Sequence, residues 1–381
     1  MHPTKKKSFN SIVTGIAILT VTFGLGSKIF SEETGKTEET ISAPVIKGDF
    51  RTRYHTQKME SESDARQRAR FRVRVNTDFP ISKSLQFTFG TASGGADARS
   101  GNQTFENTFK KYDLKIERAF VTYKPRSQFL EGASIRIGKM THPLWIPSEF
   151  LWDADINPDG IALEWNSKID DTLNIFSNGA FFVMDDLVKN SKSGPYLLAL
   201  QPGMTYKVNE ETRLKSALIY YHFNHLKGAE LTNGSSKSGN GNTMSGGVLA
   251  NDFRVAAISN QISFKNIFSL PAVTILTEYA RNISASSDGI LAGITFGDAK
   301  LKKRGEWQVT VHYKELGSDV WPDVIPDADF YRGATGVKGW EWIVSYALSQ
   351  NTVFTLDYYK AESKTLFNPE YVLQADLNVK F

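Results

Sequence analysis

Between Arg66 and Val75 the chain reads RQRARFRVRV, so Arg66, Arg68, Arg70, Arg72 and Arg74 recur at every second position. A period of two belongs to a strand, whose successive side chains leave on opposite faces; a helix would scatter the five guanidiniums around its axis. One face of this strand is therefore cationic, and the other carries Ala69, Phe71, Val73 and Val75. Such a segment has to bury its apolar face while its charges stay hydrated or paired. That confines the fold to sheets with one oily and one polar side.

The same alternation recurs along the chain. Tyr371, Leu373, Ala375, Leu377, Val379 and Phe381 interleave with Val372, Gln374, Asp376, Asn378 and Lys380, and Trp307, Val309, Val311 and Tyr313 interleave with Gln308, Thr310 and His312. Apolar residues hold one phase again in Trp340, Trp342, Val344, Tyr346 and Leu348, and in Phe354, Leu356 and Tyr358. From Ile46 onward no stretch keeps a helical period. About sixteen strands can be counted by this pattern, starting near Ile46, Gln67, Leu85, Leu114, Ala133, Gly160, Leu173, Tyr196, Arg213, Arg254, Val273, Ile290, Trp307, Lys338, Thr352 and Glu370.

Connections such as NSKIDD, VNEET and LSQNT are short. Others are long: 91–111, 141–159, the Gly/Ser/Asn-rich 224–247, and 315–336. Short turns at one end and long loops at the other, with strands near the length that crosses a bilayer and aromatics near strand ends, predict an all-β fold: a transmembrane antiparallel barrel in an outer membrane. A soluble sandwich shares the alternation but not the strand length, nor a final aromatic inside a strand at Phe381.

Lys5, Lys6 and Lys7 precede an apolar run from Ile12 to Leu25, then small residues and the polar SEETGKTEET. This predicts a signal peptide over 1–31, a periplasmic lead-in over 32–45 and the barrel over 46–381. The chain carries 45 Lys+Arg against 41 Asp+Glu. Loss of Lys5, Lys6, Lys7 and Lys28 brings the two counts level, so the basic excess leaves with the leader. A net-neutral exported barrel is no nucleic-acid binder. Cysteine is absent, which removes disulfides, thiolate metal sites and thiol nucleophiles.

Several motifs together resemble the family of "putative porins" of Gram-negative bacteria: GDFRTRY (48–54), the arginine strand after it, IERAFVTYKP (116–125), IGKM (137–140), LWDADINPDGIAL (151–163), FSNGAFF (176–182) and VKGWEWIVSYAL (337–348). The resemblance implies an outer-membrane porin and names no solute. Trimerisation follows only by analogy with general porins.

Lipid on the outside forces the arginine row into the lumen. Phe50 and Tyr54 then face outward, while Lys47, Asp49, Arg51, Arg53 and His55 face inward, so two neighbouring strands build one cationic wall. The expected counter-charges are Glu149, Asp153, Asp155 and Asp159 in the loop 141–159. Two dispositions are open for that loop: folded inward against the wall as a constriction, or capping the rim. The segment DINPDG (155–160) copies the opening of a calcium-binding EF-hand loop, but position 12 is Asn166 where a bidentate Glu is needed. His222 and His225 lack metal partners in sequence, and no nucleophile-elbow, zinc-protease or phosphate-loop pattern occurs. The expectation is a non-enzymatic, cofactor-free and metal-free channel. A barrel of this strand number leaves an aqueous lumen, for diffusion of small hydrophilic solutes and ions with an anion bias. The alternative is a closed or plugged barrel acting as a surface adhesin or structural protein.

Overall fold

The computed structural model describes residues 42–189 and 192–381, with the side chains of 188, 189 and 192 left aside. The expected leader, and the lead-in as far as residue 41, lie outside the described residues.

Sixteen long strands form a closed antiparallel barrel. They are β1 (Val45–Met59), β2 (Arg66–Pro80), β3 (Leu85–Ser93), β4 (Leu114–Tyr123), β5 (Ala133–Lys139), β6 (Asp159–Lys168), β7 (Leu173–Val183) and β8 (Tyr196–Lys207). Then follow β9 (Thr212–Asn224), β10 (Arg254–Ile267), β11 (Leu270–Asn282), β12 (Ser287–Gly297), β13 (Trp307–Leu316), β14 (Val337–Ala347), β15 (Thr352–Ser363) and β16 (Glu370–Lys380). Each strand pairs with the next. The seam closes where β16 pairs with β1, from Asp49 opposite Lys380 to Met59 opposite Glu370.

Phe381 extends that seam by exchanging backbone hydrogen bonds with Gly48 at 2.9 and 3.0 Å. Glycine suits position 48, because a Cβ there would sit 2.6 Å from the Arg74 carbonyl oxygen and 2.4 Å from the Phe381 ring. Closure gives each barrel strand a partner on both sides, the condition for strands to span lipid.

The outer phase is predominantly apolar, with Phe50, Tyr54, Leu200, Leu218, Ile275, Ile290, Val344, Leu356 and Leu373 all exposed. Tyr313, Trp340, Trp342 and Tyr358 form a run of ring contacts 5.1 to 6.0 Å apart near the long-loop end. Trp307, Tyr346 and Phe354 align across three strands near the short-turn end. Two aromatic belts around an apolar band are what a bilayer selects for.

The inner phase is divided. Toward the long-loop end, Phe182, Leu197, Ile219, Tyr221, Phe223, Val255, Leu276 and Leu291 pack against loop residues Phe150, Trp152, Leu249, Val320, Trp321 and Phe330 in one buried cluster. The apolar core thus sits inside the barrel, built from wall and inturned loops. Toward the short turns the same strands become hydroxylated, with Ser263–Thr274, Thr295–Thr310 and Ser345–Thr355 pairs at 2.9 to 3.0 Å.

β3 stops at Ser93 while β2 runs on to Arg66 at the long-loop end, so part of the β2 ladder would lack a neighbour. The loop after β3 supplies one: Gln103 and Thr104 pair with Phe71 and Arg70, and Phe105 donates to the Ala69 carbonyl at 2.9 Å.

Leu218 lies at the middle of β9 on the outer face, 59% exposed. Leu218→Arg is expected to cost about 2–4 kcal/mol in equilibrium unfolding from lipid vesicles, and Thr310→Arg, which points into the wet lumen, distinctly less. Equal costs would contradict the assignment of the two faces.

Candidate functional site

The register of β1 on β2 sets Asp49 opposite Arg74, Arg51 opposite Arg72, Arg53 opposite Arg70 and His55 opposite Arg68. These residues share the inner phase, so cations of two strands form one block. What each guanidinium meets differs.

Arg53 is buried and makes a two-pronged contact with Asp376 of β16, Nε to Oδ1 at 2.7 Å and Nη2 to Oδ2 at 2.8 Å, while Nη1 donates to Asp329 at 3.0 Å. Arg51 lies 3.5 Å from Asp376 and donates to the Asn102 side chain at 2.7 Å. Arg72 donates to Asp49 at 2.7 Å and reaches Asp155 at 3.5 Å. Arg74 donates to Glu117 at 2.8 Å and lies 2.8 Å from Asp155. Arg68 donates to His55 Nε2 at 2.8 Å and to Gln57 at 3.1 Å, both neutral acceptors. Arg70 makes a long contact to the Ser100 hydroxyl, 3.5 Å. Arg66 stands exposed at the end of the row.

The loop 140–158 leaves and rejoins the wall at two facing glycines, Gly138 and Gly160. Both have φ in the region that favours glycine, +124° and +154°, and a Cβ on either would collide with a neighbouring carbonyl oxygen. From there the loop runs into the lumen. Of the four carboxylates expected to face the arginines, Asp155 reaches them, held also by the Gly101 amide at 3.2 Å. Asp159 instead pairs with Lys139 at 3.0 Å at the strand start. Asn157 accepts from Arg118 at 2.8 Å. The three side chains that mimic a calcium loop thus turn apart, Asp155 to Arg72 and Arg74, Asn157 to Arg118 and Asp159 to Lys139.

Glu149 and Asp153 meet Asp327, their carboxylate oxygens within 4.8 Å of one another. Lys314 supplies the positive charge there, its Nζ 3.3 Å from Asp327 and 3.1 Å from the Glu149 carbonyl.

Asp327 and Asp329 belong to the loop 317–336, whose part in the site the sequence reading missed although its acids are as dense as those of 141–159. That loop is tied to 140–158 through Asp153 N to Ile325 O at 3.1 Å and Ala328 N to Asp153 at 3.0 Å. Asn242 and Thr243 of the glycine-rich loop clasp Asp323 and Asp319 at 2.6 to 2.9 Å. Arg99 of the loop after β3 reaches the Pro326 carbonyl at 3.2 Å and Ser236 at 2.9 Å. The four long loops therefore interlock inside the barrel mouth.

Below the arginine block, toward the short turns, lies a cavity of about 700 Å³ whose lining includes Lys47, Asp78, Arg118, Thr122, Lys124 and Arg136. A cationic wall in a closed barrel, acidic loops turned inward and a polar vestibule beneath them thus lie together on one side of the lumen.

The model of the family described as "Putative porin" matches residues 39–246 and 252–381. The chain belongs to this family. It is a porin, an outer-membrane channel through which solutes and ions pass. Among solved structures, OprB of Pseudomonas putida at high pH is similar over 89% of this chain and 94% of its own, with 9% identity and a TM-score of 0.57. The low-pH structure of the same protein covers 100% of both chains at 8% identity and a TM-score of 0.52. A loop L8 deletion mutant of OmpT, an outer membrane protein of Vibrio cholerae, covers 89% of this chain and 100% of its own at 11% identity and a TM-score of 0.51. At these identities the likeness concerns the fold. No curated protein matched.

Within this porin the loop carboxylates split electrostatically. Burial acts to raise Asp155, but Arg74, Arg72 and Arg51 outweigh it and hold it below its ordinary value. Asp329 is half-buried, and although its surroundings act to raise it, Arg53 drives it far down. Burial, reinforced by neighbouring acids, raises Glu149 and Asp153 well above the usual range and brings Asp327 to about 6 despite Lys314.

A group whose folded pKa exceeds its ordinary 3.8 contributes stability present below 3.8 and lost as pH rises through the folded value. From pH 7 to pH 5 protonation of Asp327 should strengthen the loop assembly severalfold, while Asp155 and Asp329 stay ionised. Hydrogen exchange at the Ala328 amide, corrected for intrinsic rate, is expected to slow accordingly, and Asp327→Asn to diminish the change. Faster corrected exchange at pH 5 would contradict the assignment.

Proposed function

We propose that solutes cross this porin along the arginine side of the lumen, by diffusion from the mouth past Arg66, Arg68, Arg70, Arg72 and Arg74, with Arg51 and Arg53 beside them, into the basic vestibule. The supporting observation is that Asp155 and Asp329, carried by inturned loops, end on the arginine block at 2.8 and 3.0 Å, so charges of both signs face one another beside a water-accessible cavity. Such a transverse field orients dipolar solutes. On the far side the lumen holds the apolar loop core, which leaves the arginine side as the wet route. Small hydrophilic solutes pass, with anions favoured because the vestibule lining carries Lys47, Lys83, Arg118, Lys124, Arg136 and Lys380 against Asp49 and Asp78.

Residues 1–31 serve as an export signal on this proposal, and 32–45 as a short periplasmic lead-in. The lipid-facing bands suit a homotrimer as well as a monomer.

The absence of cysteine allows a clean test. Refolded protein in planar bilayers is expected to give stable channels with an anion-biased reversal potential in a potassium chloride gradient. Thr122→Cys, on the vestibule wall, should lose conductance after reaction with a bulky methanethiosulfonate. Stable channels indifferent to that reagent would reject the route, and the absence of channels would favour the plugged barrel acting as a surface or structural protein.

A further inference from the structure

The row of five arginines is not uniformly neutralised. Arg72 and Arg74 each contact carboxylates, as do Arg51 and Arg53 on the neighbouring strand. Among the described residues no carboxylate lies within ion-pair distance of Arg68 or Arg70. Their contacts are the His55 ring, the Gln57 amide and the Ser100 hydroxyl. A guanidinium can only donate, so His55 Nε2 must offer its lone pair to Arg68. Among the described residues the buried Nε atoms of Arg68 and Arg70, like those of Arg51 and Arg72, have no hydrogen-bond partner. Asp329 acts on both through space but is committed to Arg53 at 3.0 Å.

We infer that Arg68 and Arg70 form an oxyanion-binding subsite within the channel, taking the phosphate or carboxylate group of a passing solute. This rests on the route proposed above. Strand geometry places the two Cα atoms about 6.8 Å apart on one face, a spacing across which one multi-oxygen anion accepts from both forks. Arginine forks match the paired oxygens of phosphate and carboxylate, and such charge-assisted bonds are roughly twice as strong as neutral ones. Chloride offers no oxygen pair and gains only the charge. The Ser100 hydroxyl, beside Arg70, adds a neutral donor. Both side chains are half-buried, so a solute can reach them without displacing a protein carboxylate. The carboxylates at Arg51, Arg53, Arg72 and Arg74 limit the exposed charge to this pair and to Arg66 at the mouth. A solute anion is thus held at one place rather than along the whole wall.

The test is the chloride current of single channels as inorganic phosphate or succinate is added at constant ionic strength. Saturable reduction of the current is expected with both anions, and with phosphate alone if the group taken is a phosphate. Arg68→Gln with Arg70→Gln should raise the half-blocking concentration at least tenfold, while Lys215→Gln, on the opposite wall above Trp145, should leave it unchanged. Arg70→Lys keeps the charge and loses the fork; it should weaken block by an intermediate factor, and it carries the test should the double variant fail to refold. Channels that conduct but show no saturable block, or lose it equally in Lys215→Gln, would overturn the subsite and leave the route standing. Absence of channels in every salt would overturn the route, and the subsite with it.

Discussion

Like charge stacked in one column is the constraint from which the rest of this structure follows. Arginines at alternate positions of β2 stand about 6.8 Å apart; at an effective dielectric near 20, each neighbouring pair repels by roughly 2 to 3 kcal/mol. Facing them outward is closed off by lipid. Inside, they need counter-charges, and the seam strand β16 contributes one, Asp376. The others within reach are Asp49 on β1 and Glu117 on β4 and two carried in by loops, Asp155 and Asp329. The loops are therefore held in the lumen from two sides, by ion pairs on the arginine wall and by apolar packing around Trp152, Trp321 and Tyr221 on the other.

This division of labour explains why the lumen is not uniformly wet. A buried pair such as Arg53–Asp376 is weak evidence of net stability, since desolvation offsets much of its attraction, but removing one partner strands the other at a cost of about 3–5 kcal/mol. The pairs thus fix position, and the apolar cluster supplies cohesion. The cluster draws most of its wall residues from β7–β13 and extends to Tyr359, Ala361 and Val372 of β15 and β16, and on the proposed route the wet path runs along β1–β5. The charge placement of two strands and the route through the channel become one question.

Much of the barrel was legible in sequence because strand periodicity is local. Leu85, Leu114, Ala133, Leu173, Tyr196, Arg254, Trp307, Thr352 and Glu370 begin strands where the alternation predicts. β11 and β12 start three residues before the expected Val273 and Ile290, since the turns before them are too tight to interrupt the pattern. The arginine block was legible for the same reason: neighbouring strands of alternating phase align their inner faces. The partners were not. Arg53 meets Asp376 across 323 residues and Asp329 across 276, contacts set by barrel closure and by the path of a long loop, neither of which leaves a local trace. Glu149, Asp153 and Asp155 look alike in sequence, and only the fold sends one to arginine and two to Asp327.

The central claim is that loop carboxylates ending on the arginine wall hold the constriction in place. It is tested most directly by single-channel conductance of the combined Asp155→Asn and Asp329→Asn variant, which keeps every arginine and every apolar contact of the loop core. The account predicts a larger unitary conductance and a stronger anion bias than in the parent porin. Unchanged conductance and selectivity would contradict it.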